Sequence, residues 1–134
     1  MSVAYVDTSA VAAIALGELG ALTLDHRLRG FDRLHSSNLL EAELRAVFSR
    51  EKVEFSPSLI TRIDWVLPER PLTPEYSTAL QAGYLKGADL WHVATALYVA
   101  TDPNQVSFVT LDKQQAFVAK TLGFRIPDGT VLRT

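Results

Sequence analysis

The chain contains no cysteine, and this absence excludes both disulfide bonds and thiolate metal sites. Its first residues, Met-Ser-Val-Ala, lack the positive charges of a secretory signal. No apolar stretch approaches the roughly 20 residues of a membrane-spanning helix, because Glu18, Asp89 and His92 interrupt the longest candidates. We therefore expect a soluble, cytoplasmic protein with no membrane partner.

A strong positive charge is also missing. The 134 residues carry 13 Lys and Arg against 15 Asp and Glu, which gives a formal net charge of −2. A general nucleic-acid coat normally has a strongly basic surface, so this class is disfavoured, whereas a local basic rim is not. Hydrophobic residues make up 48% of the chain, and we expect residues 1–134 to form a single packed domain.

Two further motif classes are absent. Neither G-x-G-x-x-G nor G-x-x-x-x-G-K-[ST] occurs, which disfavours a nucleotide-binding module. No His-x-x-x-His pair supports a zinc site.

Hydrophobic periodicity predicts alternating strands and helices. Apolar runs predict strands at 3–6, 34–36, 106–110 and, as a last short strand, 124–126. Helical patterns cover 9–16, 21–29, 37–52, 56–67, 73–85, 89–100 and 114–122. In the fourth of these helices, Leu59, Ile63 and Val66 recur at helical spacing. This alternation predicts an α/β domain with a parallel sheet, in which helices predominate.

Two aspartates follow predicted strands, Asp7 after residues 3–6 and Asp112 after residues 106–110. In a parallel sheet the carboxyl ends of the strands meet at one rim, where ligands bind. Aspartate at such a turn is also a common helix cap, which explains each residue taken singly.

Residues 36–48, S-S-N-L-L-E-A-E-L-R-A-V-F, contain two glutamates that helix geometry separates. Glu41 has Arg45 four residues on, and an ion pair explains it. Glu43 instead has apolar neighbours at helical spacing, so it is the anomalous acid on this helix.

Asp89 opens the predicted helix D-L-W-H-V-A-T-A-L, where the helix dipole favours an acid. His92 lies one turn further along the same side. It orients Asp89, contacts substrate or is a hydrogen-bonded core histidine, and the sequence leaves these alternatives open.

If the acids Asp7, Glu43, Asp89 and Asp112 converge, they need a cation. Two carboxylates ~4 Å apart repel each other by about 4 kcal/mol at an effective dielectric constant near 20. Oxygen ligands without cysteine select Mg²⁺ or Mn²⁺. Such a site suits phosphodiester hydrolysis with one or two ions.

Hydroxyl side chains accompany the two aspartates that follow strands. Thr8, Ser9 and Thr110 are candidates to hold water, carboxylate or phosphate, and capping of the first helix is the alternative role for Ser9.

Four segments resemble, in order and approximate spacing, the acidic motifs of PIN-domain ribonucleases, and VapC-like toxins of toxin–antitoxin pairs in particular. They are V-D-T-S-A at 6–10, S-N-L-L-E-A-E-L-R at 37–45, D-L-W-H-V-A-T-A-L at 89–97 and F-V-T-L-D-K at 108–113. The resemblance spans essentially the whole chain. It implies a three-layer α/β/α PIN fold with a central parallel sheet flanked by helices, and it makes Asp7, Glu43, Asp89 and Asp112 the catalytic, metal-binding acids.

The resemblance further implies a Mg²⁺- or Mn²⁺-dependent endoribonuclease that forms a homodimer and is inhibited by a cognate VapB-like antitoxin. Arg45, Lys86 and Lys113 are candidate contacts to RNA phosphates.

Two rival interpretations exist. An aspartyl-phosphate phosphatase needs a second aspartate where this chain has Ser9. A catalytically silent PIN-like module that binds RNA or protein is the stronger rival, and the presence of all four acids weighs against it.

Overall fold

The computed structural model describes residues 1–128, 130 and 132–133, and its centre is a parallel sheet. The sheet has the strand order β3-β2-β1-β4. The strands are β1 (Val3–Val6), β2 (Arg33–Ser37), β3 (Ile63–Val66) and β4 (Val106–Val109). All three pairings are parallel, so the carboxyl ends of the strands share one rim. The predicted α/β class with a central parallel sheet is confirmed.

Helices connect the strands, and their bounds follow the predicted ones closely. They are α1 (Thr8–Ala15), α2 (Ala21–Arg29), α3 (Leu39–Glu51), α4 (Thr73–Ala82), α5 (Gly87–Val99) and α6 (Lys113–Thr121). Short 3₁₀ turns occupy Pro57–Leu59 and Pro103–Gln105. None of the helices in the described residues combines the length and apolar character needed to cross a membrane.

The two faces of the sheet carry separate cores, because successive side chains of a strand point to opposite sides. Ala4 and Val6 of β1 pack with apolar residues of α1, α2 and α3, among them Leu44. Tyr5 packs on the other face with residues of α4, α5 and α6, among them Val93. The expected three-layer α/β/α arrangement is therefore present.

The prediction of a helix over 56–67 is wrong. In its place lie the 3₁₀ turn and β3, in which Ile63 pairs with Leu34 and Val66 with Ser37 of β2. Ile63 and Val66 are both buried. Three residues apart, they share a side in a helix, but in a strand they point to opposite faces of the sheet. Pairing with β2 therefore overrides the helical spacing.

The last strand predicted at 124–126 is reduced to one bridge between Ser107 and Arg125. The backbone N–H of Phe108 donates to the Arg125 carbonyl at 2.8 Å, and that of Arg125 donates to the Val106 carbonyl at 3.0 Å. The bridge covers part of the outer edge of β4.

Candidate active site

The four predicted acids lie at the beginnings of four helices around the carboxyl rim of the sheet. Asp7 and Asp112 are the N-caps of α1 and α6, and their side chains accept hydrogen bonds from backbone N–H groups of those helices. Asp89 lies in the first turn of α5, and Glu43 lies in the second turn of α3. The partial positive charge of a helix N-terminus favours a carboxylate at Asp7, Asp89 and Asp112, whereas Glu43 lies beyond the first turn of α3.

Asp7 is 1% exposed, and both of its carboxylate oxygens accept two hydrogen bonds. Ser9 Oγ donates to Oδ1 at 2.7 Å, and the Ala10 N–H donates to the same oxygen at 3.2 Å. Thr110 Oγ1 donates to Oδ2 at 2.6 Å, and Gln115 Nε2 donates to it at 2.9 Å. Since a carboxylate has about four acceptor positions, Asp7 is saturated.

The two hydroxyls that contact Asp7 are themselves fixed by backbone groups. Ser9 Oγ accepts the Leu111 N–H, and Thr110 Oγ1 accepts the Asp112 N–H, each at 3.0 Å. Because each hydroxyl accepts one proton and donates its own, it has one orientation. Asp7 rather than Ser9 caps α1. Ser9 instead donates to the Asp7 carboxylate and holds it in place.

Gln115 joins three of the acids. Its Nε2 donates to Asp7 Oδ2 at 2.9 Å and to Asp89 Oδ1 at 3.1 Å, and its backbone N–H donates to Asp112 Oδ1 at 2.7 Å. The side chain is 2% exposed. Its other end, Oε1, is buried and has no hydrogen-bond donor within the described part of the chain.

Glu43 belongs to a neighbouring network. Thr8 Oγ1 donates to Glu43 Oε1 at 2.6 Å, and His92 Nε2 lies 2.9 Å from the same oxygen. His92 is 2% exposed and hydrogen-bonded, as expected of a core histidine, and the carboxylate that it contacts is that of Glu43.

The Tyr5 hydroxyl contacts the other ring nitrogen of His92. The Tyr5 hydroxyl accepts the Ser37 N–H at 3.2 Å and lies 2.8 Å from His92 Nδ1. Burial raises the pKa of Tyr5, so the hydroxyl keeps its proton. A carboxylate only accepts hydrogen bonds, so His92 Nε2 carries a proton and donates it to Glu43.

Asp7 and Asp89 both resist ionisation. Burial raises the pKa of Asp7, and the hydrogen bonds from Thr110 and Ser9 offset only part of this rise. Burial also raises the pKa of Asp89, and the negative charges of Asp112 and Asp7 add to the increase. A positive charge placed among the three would relieve both costs.

Glu43 shows the opposite behaviour. Burial is the largest single influence and raises its pKa, but the hydrogen bonds from His92 and Thr8, together with the charges of His92 and Lys86, outweigh it. The pKa of Glu43 therefore lies below its ordinary value. Glu43 is an ionised carboxylate held in one orientation.

The three predicted phosphate contacts differ in their surroundings. Arg45 donates to Glu41 at 2.7 Å, as expected for that pair, and its guanidinium lies 4.0 Å from the Phe55 ring centroid. Lys86 is exposed and lies near enough to Glu43 and Asp89 to lower the pKa of both. Lys113 is exposed and directly follows Asp112. The two lysines are therefore better placed beside the acids than Arg45.

The donor set has the chemistry of a Mg²⁺ or Mn²⁺ site, since it consists of carboxylate, hydroxyl and amide groups. Among the residues that the structure describes, no three His, Asp or Glu side chains are close enough to hold an ion together. The Gln115 nitrogen lies between the carboxylates of Asp7 and Asp89, within hydrogen-bond distance of both. The residues fit a divalent cation in their chemistry.

Sequence reasoning missed Gln115 and the Tyr5 hydroxyl. Gln115 had a detectable signal, because it shares helical spacing with the buried residues Val118 and Ala119 of α6. A polar residue within such an apolar stripe calls for a buried partner. Tyr5 gave no separate signal, since an aromatic residue is ordinary in a buried strand.

A parallel α/β/α fold with carboxylates at the carboxyl rim of its sheet defines the general class of this protein. Comparison with known families gives a more specific result. The family model of the PIN domain matches residues 4–121, and the chain belongs to this family. PIN domains are generally nucleases, and PIN-domain nucleases generally use divalent metals. No curated protein and no solved structure matches the chain.

Proposed function

We propose that this chain is an endoribonuclease that hydrolyses RNA phosphodiester bonds with Mg²⁺ or Mn²⁺ held by Asp7, Glu43, Asp89 and Asp112. The observation that carries the proposal is the buried Asp7, joined through Gln115 to Asp89, whose pKa is raised by burial and by the charges of Asp112 and Asp7. When bound, a divalent ion activates water and stabilises the charge that develops on the phosphate oxygens.

The chain's own residues hold these acids in position. Ser9 and Thr110 fix both oxygens of Asp7, while Thr8 and His92 fix Glu43. Such contacts hold the metal-binding side chains in one orientation before an ion or a substrate binds.

Features beside the acids support RNA as the substrate. A shallow depression of about 340 Å³ lies beside the acids, and it is lined by Asp112, Lys113, Gln114 and Phe117. Phe117 is 58% exposed, and the carbonyl of the exposed Tyr84 accepts from Gln114 Nε2 at 3.0 Å. Exposed aromatic rings stack on unpaired bases, and Lys113 is placed to contact a phosphate.

The decisive experiment incubates the purified chain with total RNA in Mg²⁺ or Mn²⁺ and, in parallel, in EDTA. We expect discrete cleavage with either ion, none in EDTA, and a loss of about 100-fold or more in Asp7→Asn. Asp64→Asn is the matched control, since Asp64 is an exposed acid on β3 that pairs with Arg33.

Cleavage that survives EDTA or Asp7→Asn would contradict the proposal. Intact RNA in every condition, with RNA still bound, would favour a silent PIN-like binding module.

The biological role that we propose is that of a cytoplasmic VapC-like toxin, a homodimer controlled by a cognate VapB-like antitoxin. Leu19 and Leu22 support a protein partner, because both are exposed and Leu19 lines a cavity of about 400 Å³. Exposed apolar side chains of this kind favour contact with another protein surface. The absence of cysteine is consistent with the cytoplasm.

A further inference from the structure

The buried side chain of Gln115 forms hydrogen bonds through its amide nitrogen, but its amide oxygen accepts none from the described residues. Its Nε2 donates to Asp7 at 2.9 Å and to Asp89 at 3.1 Å. Its Oε1 is buried and has no donor in residues 1–128, 130 and 132–133. A buried amide oxygen without a donor destabilises the folded chain, so its retention calls for a reason.

A cation at Asp7 must take the place of one of four donors, because the carboxylate accepts four hydrogen bonds. Three of these donors are fixed. The Ala10 N–H belongs to the backbone of α1, and the hydroxyls of Ser9 and Thr110 each accept a backbone N–H. Gln115 Oε1 accepts nothing, so rotation of this amide breaks no bond at that end.

The backbone of Gln115 does not need to move for this rotation. Its N–H donates to Asp112 Oδ1 at 2.7 Å as part of the N-cap of α6. A half-turn of the amide about its last side-chain bond exchanges Oε1 with Nε2 and leaves the helix in place.

We propose that the Gln115 amide turns over when a divalent cation binds. In the cation-free protein Nε2 donates to Asp7 and Asp89. In the cation-bound protein Oε1 takes that position and is an additional oxygen ligand. Amide carbonyl oxygens are accepted ligands of hard cations. This inference rests on the proposed function, because it assumes a cation among the acids.

The test compares Gln115→Met, which keeps the length but removes the amide, with Gln115→Glu, which keeps oxygen ligands but removes the donor. Calorimetry gives Mn²⁺ affinity, and thermal unfolding in EDTA gives the stability of the metal-free protein. We expect Gln115→Met to melt lower in EDTA and to bind Mn²⁺ about 10-fold more weakly.

Gln115→Glu separates the two roles of the side chain. We expect it to melt still lower in EDTA, because it adds a negative charge beside Asp7 and Asp89. We expect it to bind Mn²⁺ at least as tightly as the wild type. Gln105→Met is the control, since Gln105 is exposed and lies just before β4, at the end of the sheet opposite the acids, and it should change neither quantity.

A third measurement needs no variant. Titration of the ¹⁵N-labelled wild type with Mg²⁺ should shift the side-chain amide resonances of Gln115 as Nε2 leaves the two carboxylates.

Mn²⁺ binding by Gln115→Met that equals or exceeds that of the wild type would overturn the inference alone, as would unmoved Gln115 amide signals at saturating Mg²⁺. A wild type that binds neither ion would overturn the proposed function and this inference with it.

Discussion

Glu41 and Glu43 lie two positions apart on α3, and their side chains are similarly exposed, at 39% and 33%. Their partners differ. Glu41 pairs with Arg45 one turn away, an exposed contact worth about 0.3–0.5 kcal/mol. Glu43 accepts hydrogen bonds from Thr8 and His92, which come from other elements of the fold. Partners rather than exposure therefore distinguish the candidate site residue from the surface residue.

This difference predicts opposite results for two isosteric substitutions. Glu43→Gln should reduce RNA cleavage by about 100-fold and abolish the rise in melting temperature on adding Mn²⁺. Glu41→Gln should leave both within about twofold of the wild type, because it removes only an exposed pair. Cleavage assays and thermal unfolding check the two variants side by side. Loss of activity in Glu41→Gln with retention in Glu43→Gln would refute the assignment.

Tyr5→Phe tests the buried network behind Glu43. The hydroxyl serves both His92 Nδ1 and the Ser37 N–H, and its removal leaves two buried polar groups without that partner. We expect the free energy of unfolding to fall by about 1–3 kcal/mol. Urea denaturation measures the change, with Tyr84→Phe as the exposed control. Equal stability of the two variants would show that the network contributes nothing.

Whole elements place the acids, and α5 shows the competition of forces involved. The dipole of α5 stabilises Asp89 in its first turn by about 0.3–1 kcal/mol. Burial and the charges of Asp112 and Asp7 destabilise the ionised form of Asp89. Because the pKa of Asp89 is raised overall, these effects exceed that of the helix dipole. The start of α5 is therefore held in an arrangement that disfavours the metal-free protein at neutral pH.

Asp89→Asn should consequently stabilise the metal-free chain. The pKa of Asp89 in the folded chain is raised above the ordinary value of 3.8. As the pH rises above 3.8, ionisation of Asp89 therefore lowers the stability of the folded chain. Removing a repulsion of about 1 kcal/mol raises the melting temperature by roughly 2–5 °C. Asparagine Oδ1 still accepts from Gln115.

Thermal unfolding in EDTA from pH 4 to pH 8 measures this gain, which should shrink toward acidic pH. Asp25→Asn is the control, since Asp25 is paired with Arg29 on the surface. A lower melting temperature at pH 7.5, or a gain independent of pH, would contradict the prediction.

On the scale of the whole molecule, the chain has apolar side chains that its own fold leaves uncovered. Leu19 and Leu22 lie at the turn into α2 and at its start, where Gly17 and Gly20 adopt φ values of 64° and 84°. A specific dimer buries about 800 Å² on each chain, roughly a tenth of the 7511 Å² that this chain exposes. Leu19 and Leu22 are candidate contacts for the proposed homodimer.

Light scattering coupled to size-exclusion chromatography checks the oligomeric state. We expect a mass of about twice the 14.8 kDa of the chain at micromolar concentration. A mass of one chain at every concentration up to about 100 μM would contradict the homodimer.

Local sequence patterns predicted β1, β2, β4, the six helices and the rim on which Asp7 and Asp112 lie. These features depend on residues a few positions apart, and the parallel-sheet rule then places their ends together. The tertiary structure alone decided that 63–66 is a strand, since β3 exists through its pairing with β2.

The tertiary structure also decided which side chains complete the candidate site. His92 holds Glu43, 49 positions away, and Gln115 holds Asp7, 108 positions away. Nothing in the spacing of these residues specifies a hydrogen bond, because the partners meet only after the strands and helices have packed. The sequence therefore determined which acids lie at the carboxyl rim of the sheet, and the tertiary structure determined which side chains form hydrogen bonds with them.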